Sequence, residues 1–303
     1  MCAGALLYSR RLLCARDSSP LTWVAQPAVP AGSERRYRTD AQVVVFSVPL
    51  LHRKGVGDGS AVWTESATGN GALRLLEFTG RSNPERAAGL NRFGFIQELS
   101  RTSRGAGAES IYFGLMTSSP EESVAEARKA LRSNPSESPY SAIEGRIAGS
   151  SIETAGIGFI ARTPHSAAEQ NELIDRARHA LREAPRNKVE FPSGAAPPPF
   201  LQALAGLLND PGAAETRYAY NGRIYRLRLQ RSPDPKAAAA FRELHLIPAA
   251  AAVARVSGSL WPEDGGKPIE FRLWIEEGVP RPIPLRIDYQ PKSYLRLTFE
   301  ALA

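Results

Sequence analysis

The run Arg81-Ser82-Asn83-Pro84-Glu85-Arg86-Ala87-Ala88-Gly89-Leu90-Asn91-Arg92 is the densest polar stretch of the body of the chain, and the first place to look for chemistry. Two guanidinium groups and a carboxamide, on Arg86, Asn91 and Arg92, are residue types that hold an anionic group at the mouth of a pocket. The same residues also make an ordinary turn. Asn83 can cap a short helical turn, Pro84 suits its first position and Gly89 can end it. Both readings are open on the sequence, and Arg86, Asn91 and Arg92 are its candidate ligand-binding residues.

Other chemistry is thin. His52, His165, His179 and His245 lack a second histidine or a carboxylate at metal-ligand spacing on a helix face, so no metal site is read. Cys2 and Cys14 are the two cysteines, both in the N-terminal leader. The body from Tyr37 onward therefore has no disulfide framework, cysteine nucleophile or thiolate metal site. The Gly-x-Ser-x-Gly elbow of a serine hydrolase is missing. Glu121-Glu122 and Glu276-Glu277 are adjacent in sequence, so each pair points in divergent directions. Gly55, Gly57 and Gly59 alternate as in a phosphate-cradling loop, but that loop must open a helix, and here Ala61–Glu65 continues as strand. This glycine run reads as the turn after a strand from Tyr37 to Leu51. No catalytic residue and no cofactor is assigned.

The elements that would position these residues are mostly strands. Ile269, Phe271, Leu273 and Ile275 alternate with polar residues, as do Ile283, Leu285, Ile287 and Tyr289, and then Leu295, Leu297 and Phe299. Three such runs broken by Gly278-Val279-Pro280 and Gln290-Pro291 predict an antiparallel meander with one dry and one wet face. On the wet face, the preferred register sets Arg272 opposite Asp288 and Trp274 opposite Arg286, because a guanidinium over an indole adds an attraction. Asn221-Gly222 between alternating runs predicts a tight hairpin. Further strands are read at Leu73–Phe78, Gly94–Arg101, Glu109–Thr117, Tyr140–Ala148 and Ile152–Ala161.

Helices interrupt the strands. One opens at Ser118-Ser119-Pro120. A second has Ser166 and Glu169 at capping-box spacing and a stripe of Leu173, Ile174, Ala177 and Leu181. A third, short and apolar, lies within Pro197–Asp210, and a fourth follows Ser232-Pro233-Asp234-Pro235 with Phe241 and Leu244.

The 303 residues carry a net charge of +7, with arginine far in excess of lysine. No basic run interleaved with aromatics appears, so nucleic acid is not an expected partner. The charge favours anionic surfaces such as phospholipid headgroups. No apolar run reaches the ~18 residues of a spanning helix. Residues 1–36 read as an export leader and flexible segment, with Arg10-Arg11 before a short apolar run. Residues 37–303 read as a single β-rich domain, or as lobes 37–185 and 186–303.

Phe271-Arg272-Leu273-Trp274-Ile275, then Ile283-Pro284-Leu285-Arg286-Ile287 and a closing amphipathic strand, resemble the C-terminal end of a family of exported bacterial β-rich proteins, a domain of unknown function. That family is similar in outline to periplasmic lipoprotein carriers, and the resemblance implies a curved half-barrel capped by helices. The expected class is α+β, mainly β: a large curved antiparallel sheet or half-barrel with three to four short helices covering one face. The expected role is a bacterial envelope or secreted protein, periplasmic or secreted, with a cytoplasmic location as the alternative. It would bind a hydrophobic or lipid-like small molecule, or an envelope protein, without catalysis. Two alternatives are a hydrolase with its site near the Asn83–Arg92 loop and a structural assembly subunit.

Overall fold

The protein, here a computed structural model, is described over residues 33–303 apart from 46–47, 69–70, 84, 88–91, 104–106, 119–125, 127–128, 130–136, 163, 192–193 and 293–294. The leader therefore lies outside the described residues except for Ser33–Arg36, which open the first strand, and so does most of the helix expected from Ser118.

The strands in order are β1 (Ser33–Val45), β2 (Val48–Thr68), β3 (Gly71–Ser82), β4 (Phe93–Ser103), β5 (Gly107–Thr117), β6 (Glu137–Ala148), β7 (Ser151–Arg162), β8 (Arg186–Glu190), β9 (Glu215–Tyr220), β10 (Arg223–Pro233), β11 (Val253–Pro262), β12 (Ile269–Glu276), β13 (Arg286–Lys292) and β14 (Leu295–Ala301). All pair antiparallel in one sheet, ordered β8-β7-β6-β5-β4-β3-β2-β1-β14-β13-β12-β11-β10-β9, which does not close into a barrel. Two long meanders, β1–β8 and β9–β14, thus join through the pairing of the first strand with the last.

Local chemistry explains most boundaries. Asn221 and Gly222 both have positive φ, as a two-residue hairpin turn demands. In the C-terminal meander Arg272 pairs with Asp288 and Trp274 with Arg286, the expected register, and the Arg286 guanidinium lies 4.8 Å from the Trp274 ring centre. One boundary is corrected. Residues 55–59 lie inside β2, and the chain reverses between the paired residues Val45 and Val48. Gly55, at φ +62°, forms a bulge rather than a turn, and Gly57 lets β2 pass close to β3, where a Cβ would lie 2.2 Å from the Arg81 carbonyl oxygen. Alternate glycines serve close strand approach here, which a turn reading misses. The strand β8 and the start of β13 at Arg286 were likewise not resolved by the pattern.

Three helices are described: α1 (Ala167–Arg182), α2 (Phe200–Asn209) and α3 (Pro235–Glu243). Ser166 and Glu169 form the capping box of α1, and Leu173, Ile174, Ala177 and Leu181 are its buried stripe. Asp234 caps α3 by accepting from the Ala237 amide.

The mainly-β antiparallel class is as expected, but the helices divide between two faces of the sheet. On β4, Gln97 accepts from Arg178 of α1, whereas its neighbour Glu98 accepts from the first amides of α2. Successive residues of a strand point to opposite faces, so α1 and α2 lie on opposite sides. α1 covers Phe93, Phe95, Phe113, Leu115 and Tyr140. α3 shares the outer side, packing Ala238 and Phe241 with Trp274, the even-numbered face of β12. α2 packs on the other face against Leu227, Leu229, Val256, Leu273 and Ile275 from the C-terminal meander, and also beside Trp63 and Leu76 from the N-terminal one. A ten-residue helix can touch strands so far apart in order only if the sheet curls around it. The curl brings β9 against β5–β7, with Ala219 and Tyr220 packing on Tyr112, Ile143, Ile147 and Ile152. The apolar inner faces bury one another and α2, which is the driving force for the curl.

Candidate functional site

The sharpest concentration of buried polar groups surrounds α2. Its N-cap, Pro199, offers no side-chain acceptor, yet the first amides of any helix need partners. Glu98, 1 % exposed on the inner face of β4, supplies them: Oε1 accepts from the Leu201 amide at 2.7 Å and Oε2 from the Gln202 amide at 2.8 Å. At the opposite end Arg231 of β10 donates to the carbonyls of Leu207 and Leu208, at 2.6 and 2.8 Å. The Arg231 cation complements the negative end of the helix dipole, and the Glu98 carboxyl supplies the acceptors that the first amides need. α2 is thereby latched to two strands on opposite sides of the curl.

Burial pushes the Glu98 carboxyl up to about 8, against the opposing pull of the two amides. Burial also raises the phenols of Tyr112 and Tyr220, the latter to about 12. Ser110 donates to the side-chain oxygen of Gln202 at 3.1 Å. Among the described residues the Gln202 amide nitrogen and the Trp63 indole nitrogen have no hydrogen-bond partner, and the Tyr112 hydroxyl faces the Asn221 and Gly222 amides. A carboxyl with a raised pKa is a functional-site signal as well as a structural one. Here both of its oxygens face helix amides, so its geometry is that of a cap and not of an exposed acid.

The interior of the curl is thus occupied by α2, and open space lies at that helix's C-terminal mouth. A cleft of about 790 Å³ is bounded there by Leu208, Ile275, the loop Gly278–Pro282, Arg231 and the carboxylates of Glu65, Glu276 and Glu277. Its lining mixes apolar wall with charges of both signs. A smaller groove of about 290 Å³ runs between α1 and β6, lined by Glu144, Asp175, Arg178, His179 and Arg182.

Of the residues singled out in the polar loop, Arg86 and Arg92 do not line either of these two cavities. Asn83 does cap a turn, accepting from the amides of Glu85 and Arg86. Arg86 is exposed and its guanidinium lies over the Gly55 bulge, while its carbonyl accepts from Arg53 at 2.9 Å. Arg92 pairs through its backbone with Ser82. Asn91 lies outside the described residues. Asp40, buried beneath the bulge, accepts from Arg38 and from the Gly55 amide, with His52 3.7 Å away. Sequence reasoning missed Glu98 and Arg231. A carboxylate in mid-strand beside Leu99 was the available signal for Glu98, since an acid is costly on a face that must be buried.

Among the described residues no group of three histidine, cysteine, aspartate or glutamate side chains could hold a metal ion, and no helix is long and apolar enough to cross a membrane. No family model and no curated protein matches the chain. Among solved structures it is similar to the crystal structure of a β-barrel-like protein of a domain of unknown function, DUF1849, from Brucella abortus. That likeness covers 90 % of this chain and 97 % of the other at 8 % identity, with a TM-score of 0.47. A weak likeness to a β-rich domain of unknown function is also what the C-terminal strands suggested.

Proposed function

We propose that the protein is a non-catalytic envelope or secreted protein that binds an amphipathic, lipid-like molecule in the cleft at the C-terminal mouth of α2. The cleft carries this reading. Its volume of about 790 Å³ falls in the range of small-molecule sites, roughly 300–1,000 Å³. Leu208, Ile275, Val279, Pro280 and Pro282 offer an apolar wall, and Arg231 and Arg281 stand where a polar head would lie. Because α2 fills the interior, the ligand in this reading rests at the mouth and does not thread the curl. Hydrolysis at the Asn83–Arg92 segment is less well supported, since Asp40, the carboxylate beneath the Gly55 bulge, is already engaged by Arg38 and the Gly55 amide. Assembly through β8 is also less well supported, because its free edge exposes Arg186, Lys188 and Glu190, charges that discourage strand addition.

The test is to purify the chain without detergent, extract it with organic solvent, and identify co-purified lipid by mass spectrometry. A fluorescent fatty-acyl probe is titrated in parallel. Specific lipid in the extract, and probe binding weakened about tenfold by Val279→Asp, support the reading. A lipid-free extract together with no saturable probe binding ends it.

A further inference from the structure

The β1–β2 hairpin extends beyond the sheet that holds it. β3 pairs with β2 only from Gly57 onward, and β14 pairs with β1 only as far as Val43. Val48–Val56 of β2 therefore has no β3 partner, and the last rungs, Val44 with Pro49 and Val45 with Val48, stand clear of both neighbours. The bulge at Gly55 marks the root of this arm, fixed by the Gly55 amide donating to buried Asp40 at 2.7 Å. The described part of the arm is uncharged in sequence through Val43-Val44-Val45 and Val48-Pro49-Leu50-Leu51, and Leu51 is 52 % exposed. Next come exposed His52, Arg53 and Lys54, and Arg86 lies over the bulge beside them. Among the described residues none of Arg53, Lys54 and Arg86 meets a carboxylate. Arg53 donates instead to the Arg86 carbonyl.

An uncharged projection with a collar of unneutralised cations is complementary to one kind of surface, an apolar layer beneath anionic headgroups. A partner strand is a poorer fit to the free edge, because Pro49 has no N–H to offer and the bulge breaks the ladder. We propose that the β1–β2 arm docks the protein on an anionic lipid bilayer, with Leu51 at the headgroup boundary and Arg53, Lys54 and Arg86 facing lipid phosphates. This docking surface is distinct from the cleft and does not depend on it.

The experiment is sedimentation of the full chain with vesicles of phosphatidylcholine alone and of phosphatidylcholine mixed with phosphatidylglycerol. The proposal expects partitioning onto the mixed vesicles that weakens with salt, as the Debye length contracts from ~10 Å at 0.1 M to ~3 Å at 1 M. Each cation near an anionic surface is worth about 1 kcal/mol, so Lys54→Gln lowers partitioning about fivefold. Leu51→Asp lowers it about tenfold or more, removing an apolar group and adding a repelled charge. Arg223→Gln, on the β10 side of the sheet, leaves it unchanged. Both docking variants alter exposed side chains, and circular dichroism confirms that they fold. Equal partitioning onto neutral and mixed vesicles, or an unaltered Leu51→Asp variant, overturns the proposal. So does a lipid-free dimer abolished by Leu51→Asp, which would assign the arm to a second copy of the chain.

Discussion

Replacing Glu98 with glutamine separates what its charge does from what its shape does. With a folded pKa of about 8 against an ordinary 4.5, folded Glu98 keeps its proton at pH values where the unfolded chain has lost it. The folded state then binds more protons than the unfolded state, so stability falls as pH rises through this window and is level on either side. The stabilising share is fully present below 4.5 and is lost as pH passes 8. At about 1.4 kcal/mol per pH unit the whole window amounts to on the order of 5 kcal/mol, an upper bound because local opening of the α2 N-terminus would wet the carboxyl and limit the loss. Glutamine does not titrate, and only one of its side-chain atoms accepts a hydrogen bond. Either the Leu201 or the Gln202 amide then loses its acceptor, at about 1–3 kcal/mol. Glu98→Gln should therefore be less stable than wild type at the acid end of the window, and equal or more stable at the alkaline end. Urea unfolding of both proteins across the window measures this, and contributions common to both cancel in the difference. Two stability curves that run parallel would refute the reasoning, since Glu98 would then titrate alike in the folded and unfolded chain.

Other outcomes follow from the packing. Arg231→Gln, which leaves the C-terminal carbonyls of α2 without a charged donor, should cost about 2 kcal/mol in urea unfolding. Gly258→Ala should cost about 1–3 kcal/mol, because a Cβ there lies 2.2 Å from the Phe271 ring, which must leave its place; a thermal melt equal to wild type would contradict the packing of β11 on β12. Leu181→Ala, at a fully buried position of α1, should cost about 2–5 kcal/mol by the same measurement.

Much of the architecture is a local matter. Alternation in Ile269–Glu276 and in Leu295–Ala301 sets strands, because a period of two gathers apolar side chains on one face. Asn221-Gly222 sets a hairpin and Ser166 with Glu169 a helix start, because φ preference and amide capping act within a few residues. The pairing of Arg272 with Asp288 was legible since the same register sets Arg286 beside the Trp274 indole, an attraction between cross-strand neighbours. Alternation does not say which way a fourteen-stranded sheet will curl, nor which face a helix will find. Glu98 reads in sequence as one polar residue between Gln97 and Leu99, and its partners stand 103 and 104 residues further along the chain. The placement of Arg86 over the Gly55 bulge likewise depends on how β2 meets β3. The linear chain thus sets the strands and their turns through short-range sterics and hydrogen bonding. The curl, the enclosed helix and the cleft at its end arise only when distant apolar faces leave water together.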